Sequence, residues 1–339
     1  MPRHSIKVWK LMVLLRQTLP RISRGKVRES YRLPPLQDGR EIRLVFATDR
    51  VSIFDFVLGV TAYGKGETLN AYNIAVYRII KEKMPEIEQD ILAFGSDIDK
   101  YLPEKLKGRK MLQRRAVVVF DQEMLPVELV VRGNLTGTGY LSYKESGVVC
   151  GHELPPGLQE GATLQKPIFT PTTKAHKGHD MPRDYRDVEK QYDGVTDFSV
   201  SIFETMHAVL LPFGIMLVDT KWEVGYRLEL VPRRTTFVLS DERATPDSSR
   251  FWYVDAYDQA MKKGELPSSA DKQVIRDAGK KLGIDTLDSK NPEHRERVLQ
   301  MKIPPEVIRK YKKRTNKLFK KFPEQLSLRT FQEKVMKIY

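Results

Sequence analysis

The sequence predicts an α+β protein, and three observations carry that expectation. Segments rich in β-branched and aromatic residues recur at 42–62, 111–120, 126–133, 214–218 and 235–240, the composition of strands. Residues 67–84 and 186–211 are patterned as helices, the second with apolar side chains close to a 3.6-residue period. Residues 255–339 are highly charged and mostly helical in pattern.

Taken in order, residues 1–20 set Ile6, Trp9, Leu11, Val13, Leu14 and Leu19 among basic side chains with no acid. That pattern suits an amphipathic helix packed on the body, or an organellar transit peptide; scarce Ser and Ala favour the packed helix. Residues 42–62 read as two strands flanking a Thr-Asp-Arg loop, and the helix at 67–84 stops before Pro85. Strands follow at 111–120 and 126–133. Residues 140–182, rich in Gly, Pro and Thr, read as a long surface excursion with little regular structure. In the helix at 186–211, Phe198, Ile202, Met206, Val209 and Leu210 share a face. The strands at 214–218 and 235–240 are joined through VPRR as a hairpin. A last helix starts after Pro304 and Pro305, turning Val307, Ile308, Tyr311, Leu318 and Phe319 inward and its Lys and Arg outward.

A chain of 339 residues is long enough for about two domains with sizeable cores. Its single cysteine, Cys150, excludes a disulfide framework and a multi-cysteine zinc site, and fits a reducing, cytoplasmic setting. Apolar runs fall short of the roughly 18–20 residues that a membrane helix needs, so no membrane partner is expected. The net charge of +14 is concentrated at the ends. Residues 1–28 hold eight basic and no acidic side chains, and residues 301–339 hold twelve and three. The body between them, with 38 basic and 41 acidic groups, is nearly balanced. A nucleic-acid partner would therefore have to use the termini, and a solvated helix face is the favoured reading of that charge.

Five strings carry chemistry. In RGKVRES, Gly25 lets backbone approach an anion while Lys26 and Arg28 alternate along an extended chain, although the spacing is neither a P-loop nor a dinucleotide fingerprint. In VRGNLTGTGY, Arg132, Thr136 and Thr138 suit a phosphate or carboxylate, or form an ordinary turn. PIFTPTTKAHKGHD collects Lys174, His176, Lys177, His179 and Asp180 in one loop, a donor density suited to a small anion. In DTKWEVG, strand alternation puts Asp219, Lys221 and Glu223 on one face, as a ligand site or a surface salt-bridge ladder. In SDERATPDSSR, Asp241 and Glu242 follow an apolar strand, a position suited to ligating Mg²⁺ beside a nucleotide.

These strings, with ATDRVSIFD, PVELVVRG, GVVCGHELPPGLQE and SADKQVIRD, resemble in order the SAICAR synthetase family over about residues 20–280. The resemblance implies a two-lobed α+β fold with a kinase- or ATP-grasp-like nucleotide site between lobes. Its expected divisions are a basic N-terminal segment 1–20, a nucleotide-binding lobe 21–125, a substrate lobe 126–300 and a basic helical segment 301–339. It implies a ligase that joins carboxyaminoimidazole ribotide (CAIR) to L-aspartate with ATP and Mg²⁺ in purine synthesis, by way of an acyl phosphate. By the same resemblance, Gly25, Lys26 and Arg28 meet the ATP phosphates. Glu128, Leu129 and Val130 line the adenine edge, with Arg114 or Arg115 facing the nucleotide. Glu223 and Asp241 are the metal-proximal carboxylates, and with Lys221 they form the catalytic set. Arg132, Thr138, Lys221, Ser248 and Arg250 hold the ribotide with Asp55 nearby, and Lys174, His179 and Asp180 surround aspartate.

The chain departs from the family pattern at several points. Thr138 replaces the usual serine, DTKWEVG stands for DTKFEFG, and Arg243 occupies a place that is usually apolar, which adds a cation beside Asp241. Extra residues fall at 116–124 and 231–236. The rival readings are an altered-specificity paralogue, a nucleic-acid binder using its basic ends, and a kinase, against which the lack of HRD and DFG strings speaks.

Overall fold

A computed structural model describes residues 3–174, 181–230 and 233–339. Its first sheet is antiparallel, with strands ordered Arg21–Arg24, Arg28–Arg32, Ile42–Ala47, Ala116–Phe120 and Ile91–Phe94. Alternation gives the sheet two apolar faces. On one face Tyr31, Leu44, Phe46 and Val118 meet Val8, Leu11 and Leu15 of the N-terminal helix Arg3–Thr18, so that helix packs on the body as expected. On the other, Val45, Val117 and Val119 join the core around the helix Lys65–Lys83.

The second sheet centres on the long strand Ile215–Leu230, which pairs with Val127–Asn134, Arg233–Ser240 and Ser249–Tyr253. Thr163–Phe169 extends the far side of Val127–Asn134. The helix Val195–Leu210 covers one face of the sheet, burying Ile202, Phe203, Met206 and Leu210 in a core shared with Trp222 and Val224. The other face carries the polar ladder described below.

Several elements differ from the sequence expectation. Residues 111–115 belong to a short helix, Lys110–Arg115, whose end is held where Asn70 Nδ2 donates to the Arg114 carbonyl at 3.1 Å, leaving only Ala116–Phe120 as strand. The stretch 42–62 holds three strands, because Phe54 and Asp55 take left-handed φ of 47° and 64° and close a second hairpin, Arg50–Ile53 with Phe56–Thr61. The expected excursion 140–182 contains the end of a helix, Gly137–Ser146, and the sheet strand Thr163–Phe169. Pro167 is tolerated there because the strand lies at an edge. The helix expected at 186–211 is broken into Tyr185–Gln191 and Val195–Leu210 at Gly194, φ 84°.

The two halves also interleave. Glu88–Gln89, from the first 125 residues, pairs in parallel with Val238–Leu239 in the second sheet. The hairpin at 50–61 packs Val51, Ile53 and Phe56 on Ile275, Val298 and Ile308 from the helical tail. A Cβ at Gly59 would lie 1.9 Å from the Leu299 carbonyl oxygen. Gly59→Ala should therefore cost about 1–3 kcal/mol through forced separation of that hairpin from the helix Pro292–Gln300, read as a lower urea midpoint with an unchanged m-value. The final helix Pro305–Lys321 buries Ile308, Tyr311, Leu318 and Phe319 as expected, with Val307 half-buried. Among the described residues no helix is long and apolar enough to cross a membrane.

Candidate active site

Gly25 sits in the turn between the first two strands, and that turn is braced by a residue the sequence reading did not single out. Arg50 Nε donates to the Lys26 carbonyl and one of its terminal nitrogens to the Gly25 carbonyl, both at 2.9 Å. Another Arg50 nitrogen lies 2.7 Å from the fully buried Glu29, which Arg16 also holds at 3.0 Å and the Tyr31 hydroxyl at 2.7 Å. Lys26 and Arg28 diverge. Lys26 is exposed and pairs with Asp55 across the second hairpin, whereas Arg28 reaches the second sheet and meets Asp241 at 3.0 Å and Glu242 at 3.7 Å. The signal for Arg50 was present in the ATDRVSIFD string, but nothing local says where its fork points.

Beneath Arg28 lies a ladder made by strand alternation. Register pairs Asp219 with Arg132 and Lys221 with Val130, so Glu128, Val130 and Arg132 share a face with Asp219, Lys221 and Glu223. Leu129 points the opposite way and is wholly buried in the core. Lys221 Nζ is 2.5 Å from Glu128 and 3.7 Å from Glu223, and Lys174 reaches Glu223 at 3.0 Å. Burial alone would lower Lys221, but Glu223 and Glu128 hold it well above the usual lysine value. Burial would likewise raise Glu223, but Lys221 and Lys174 hold it at about 2.

A depressed carboxylate contributes stability that is complete above its unfolded value and disappears as pH falls through the folded one. For Glu223 that window runs from 4.5 down to about 2. Glu223→Gln should therefore lose less stability than the parent across this range, measured as the difference between two pH series of denaturant midpoints.

A second cluster adjoins the first. Asp219 accepts from Arg250 at 2.8 Å, Arg132 at 3.3 Å and the Thr136 hydroxyl at 3.3 Å. Arg132 also donates to Thr170 at 3.1 Å and to Thr138 at 3.2 Å. Burial would raise Asp219, yet Arg250 and Arg132 keep it below the usual carboxylate range, with Arg276 from the SADKQVIRD string adding to the field. Arg132 and Arg250 share the single carboxylate of Asp219, an arrangement suited to an anion. Ser248 ties this loop to the ladder, its carbonyl accepting from the Lys221 amide at 3.1 Å. Behind it, buried Asp247 binds Lys65 at 2.7 Å, the Tyr311 hydroxyl at 2.8 Å and Lys272 at 3.6 Å. Burial pushes Lys272 down to about 8 against the pull of Asp247.

Other candidates lie elsewhere. Arg115 is fully buried and commits its guanidinium to Asp49 at 2.7 Å and Glu67 at 3.2 Å, which makes it a brace inside the first lobe rather than a surface for nucleotide. Arg114 is half-buried on the same short helix. His179 and Asp180, like His176 and Lys177, lie outside the described residues. A separate cavity of about 670 Å³ is lined by Arg40, Glu88, Phe120, Gln122 and Arg227, and shares none of the ladder residues.

The donor set suits Mg²⁺ in one particular way. Among the described residues no three His, Cys, Asp or Glu side chains converge into a metal cage. Three carboxylates, Glu223, Asp241 and Glu242, do surround Arg28 and hold its guanidinium above the usual value against burial. Hard oxygens in that number fit Mg²⁺ that takes one or two protein carboxylates and completes its shell with water and phosphate.

In sequence and in fold the chain is similar to known proteins. The sequence profile of the SAICAR synthetase family matches residues 21–291. The chain is 39% identical over 279 residues to the phosphoribosylaminoimidazole-succinocarboxamide synthase of Mycobacteroides abscessus, covering 80% of this chain and 85% of that one. It is 37% identical over 271 residues to that of a Polaromonas species, covering 77% and 82%. The Saccharomyces cerevisiae SAICAR synthase, solved in complex with SAICAR, superposes with a TM-score of 0.70 at 26% identity, covering 90% of this chain and 95% of that one.

Proposed function

The chain belongs to the SAICAR synthetase family, and from that premise we propose that the ladder and the Arg132–Arg250 cluster form one site where ATP, CAIR and L-aspartate meet. The enzyme is a carbon–nitrogen ligase of purine biosynthesis that makes SAICAR from CAIR and L-aspartate with ATP. The observation that carries the site assignment is the single face of strand Ile215–Leu230, which places Asp219, Lys221 and Glu223 in line below Arg28.

The chemistry needs such a face. A carboxylate is a poor acylating agent because its leaving group would be oxide. An oxygen of the CAIR carboxylate attacks the terminal phosphorus of ATP, the bond to ADP breaks, and an acyl phosphate forms. The aspartate amine then attacks the acyl carbon, inorganic phosphate departs with the bonding pair, and the nitrogen gives up a proton. All three reactants are anionic, so bringing them together demands fixed positive charge. Arg28, with Gly25 and Lys26 in the turn, is assigned to the ATP phosphates, and Glu128 and Val130 on the ladder face to adenosine. Arg132, Thr138, Ser248 and Arg250 are assigned to the ribotide. Lys174 and Lys221 face the reacting carboxylates. Glu223 and Asp241 would hold Mg²⁺, which when bound offsets charge on the phosphates.

The test is phosphate release from ATP with each reactant omitted in turn. Turnover is expected only when ATP, CAIR and L-aspartate are all present. Release that ignores either co-substrate would reject the assignment.

A further inference from the structure

The family pattern places an apolar residue where this chain has Arg243, and the sequence suggests an added cation beside Asp241. The structure turns the side chain the other way. Arg243 is fully buried, and its guanidinium pairs with the buried Asp90 rather than projecting into the site. A buried guanidinium is tolerable only when its donors are occupied. Here Nε donates to Gln89 at 3.2 Å, one terminal nitrogen to Asn73 at 3.3 Å and the Asp241 carbonyl at 3.0 Å, and the other to Asp90 and to the Leu239 carbonyl at 2.7 Å. The Arg243 amide donates to Asn73 Oδ1 at 3.1 Å.

Two of those acceptors are the carbonyls of Leu239 and Asp241, on either side of Ser240, so the fork clamps the turn where the strand ends. Asp90 completes the grip by accepting from the Asp241 amide at 3.3 Å. Both peptide groups of Asp241 are thus tied to one ion pair. Asp241 itself has φ 51°, a left-handed conformation that aspartate adopts more readily than most residues and that this grip on its two peptide groups holds in place. In that conformation its carboxylate meets Arg28.

We propose that Arg243, with Asp90, is a positioning residue that presets Asp241 as a ligand for the metal–nucleotide complex. The proposal rests on the reading of Asp241 as a metal-proximal carboxylate. An apolar side chain at 243 would fill the same space without holding either carbonyl, so a purely packing role and a positioning role give different results.

The measurement is calorimetric binding of ADP with and without Mg²⁺, which reports the factor by which metal strengthens the nucleotide complex. Arg243→Met combined with Asp90→Leu removes the ion pair without stranding a buried charge, and thermal unfolding shows that the protein folds. Arg243→Lys, which keeps a charge against Asp90 but cannot reach both carbonyls, serves as a second variant should the first not fold. Metal-free ADP is expected to bind both variants as it binds the parent. The strengthening by Mg²⁺ should fall at least tenfold in the paired variant and by a smaller factor in Arg243→Lys. A parental Mg²⁺ effect in a folded variant overturns the positioning role alone. No Mg²⁺ effect in the parent overturns the metal assignment of Asp241 and this proposal with it.

Discussion

Asp241→Asn should lower kcat by about 10²–10³-fold while leaving the thermal unfolding midpoint close to that of the parent. The substitution isolates charge from shape. Asn is among the few side chains that accept a left-handed backbone readily, so the φ of 51° at this position costs it little. The amide still offers an oxygen to Arg28, now 3.0 Å from the carboxylate, but it brings no negative charge to a cation. The concentration of Mg²⁺ giving half-maximal rate should rise in step. Near-parental kcat at ordinary Mg²⁺ would remove Asp241 from the metal set and leave Glu223 and Glu242 as the remaining carboxylates.

Lys221→Met should be comparably damaging, for two reasons that can be separated. Lys221 lies between Glu128 at 2.5 Å and Glu223 at 3.7 Å, so its removal leaves two half-buried carboxylates facing each other. Breaking such a pair from one side costs roughly 1–3 kcal/mol where solvent still reaches the group. It also removes one of the cations proposed to face the reacting carboxylates, for an expected loss of about 10²-fold in kcat. Adding Glu128→Gln to Lys221→Met should restore most of the stability and none of the rate. Recovery of turnover in the double variant would show that Lys221 acts only as a brace for the strands.

How much of this was legible in the sequence differs from residue to residue. Lys221 and Glu223 could be placed on one face before any fold was known, because side chains alternate along any extended strand. The helices at 67–84 and 305–321 were legible for the same kind of reason, since a 3.6-residue period and a proline at a boundary act locally. The strand at 163–169 was not, because its Pro167 and neighbouring glycines read as loop until an edge position in a sheet is supplied. The resemblance offered Arg114 or Arg115 without choosing between them, and no local pattern showed that Asp49 and Glu67 would hold Arg115 in the interior. Arg243 presented the same difficulty, since its burial against Asp90 depends on a partner 153 residues away.

The sequence by itself determined an α+β chain of this family and supplied the charged groups proposed for its site, because both are written in short-range periodicity and in short contiguous strings. Only the tertiary structure decided which opposite charge each of those groups meets. Arg28 and Asp241 are 213 residues apart, and Lys221 and Glu128 are 93 apart. Coulombic pairing depends on distance in space and on exclusion of water, and neither quantity exists until the two sheets have packed.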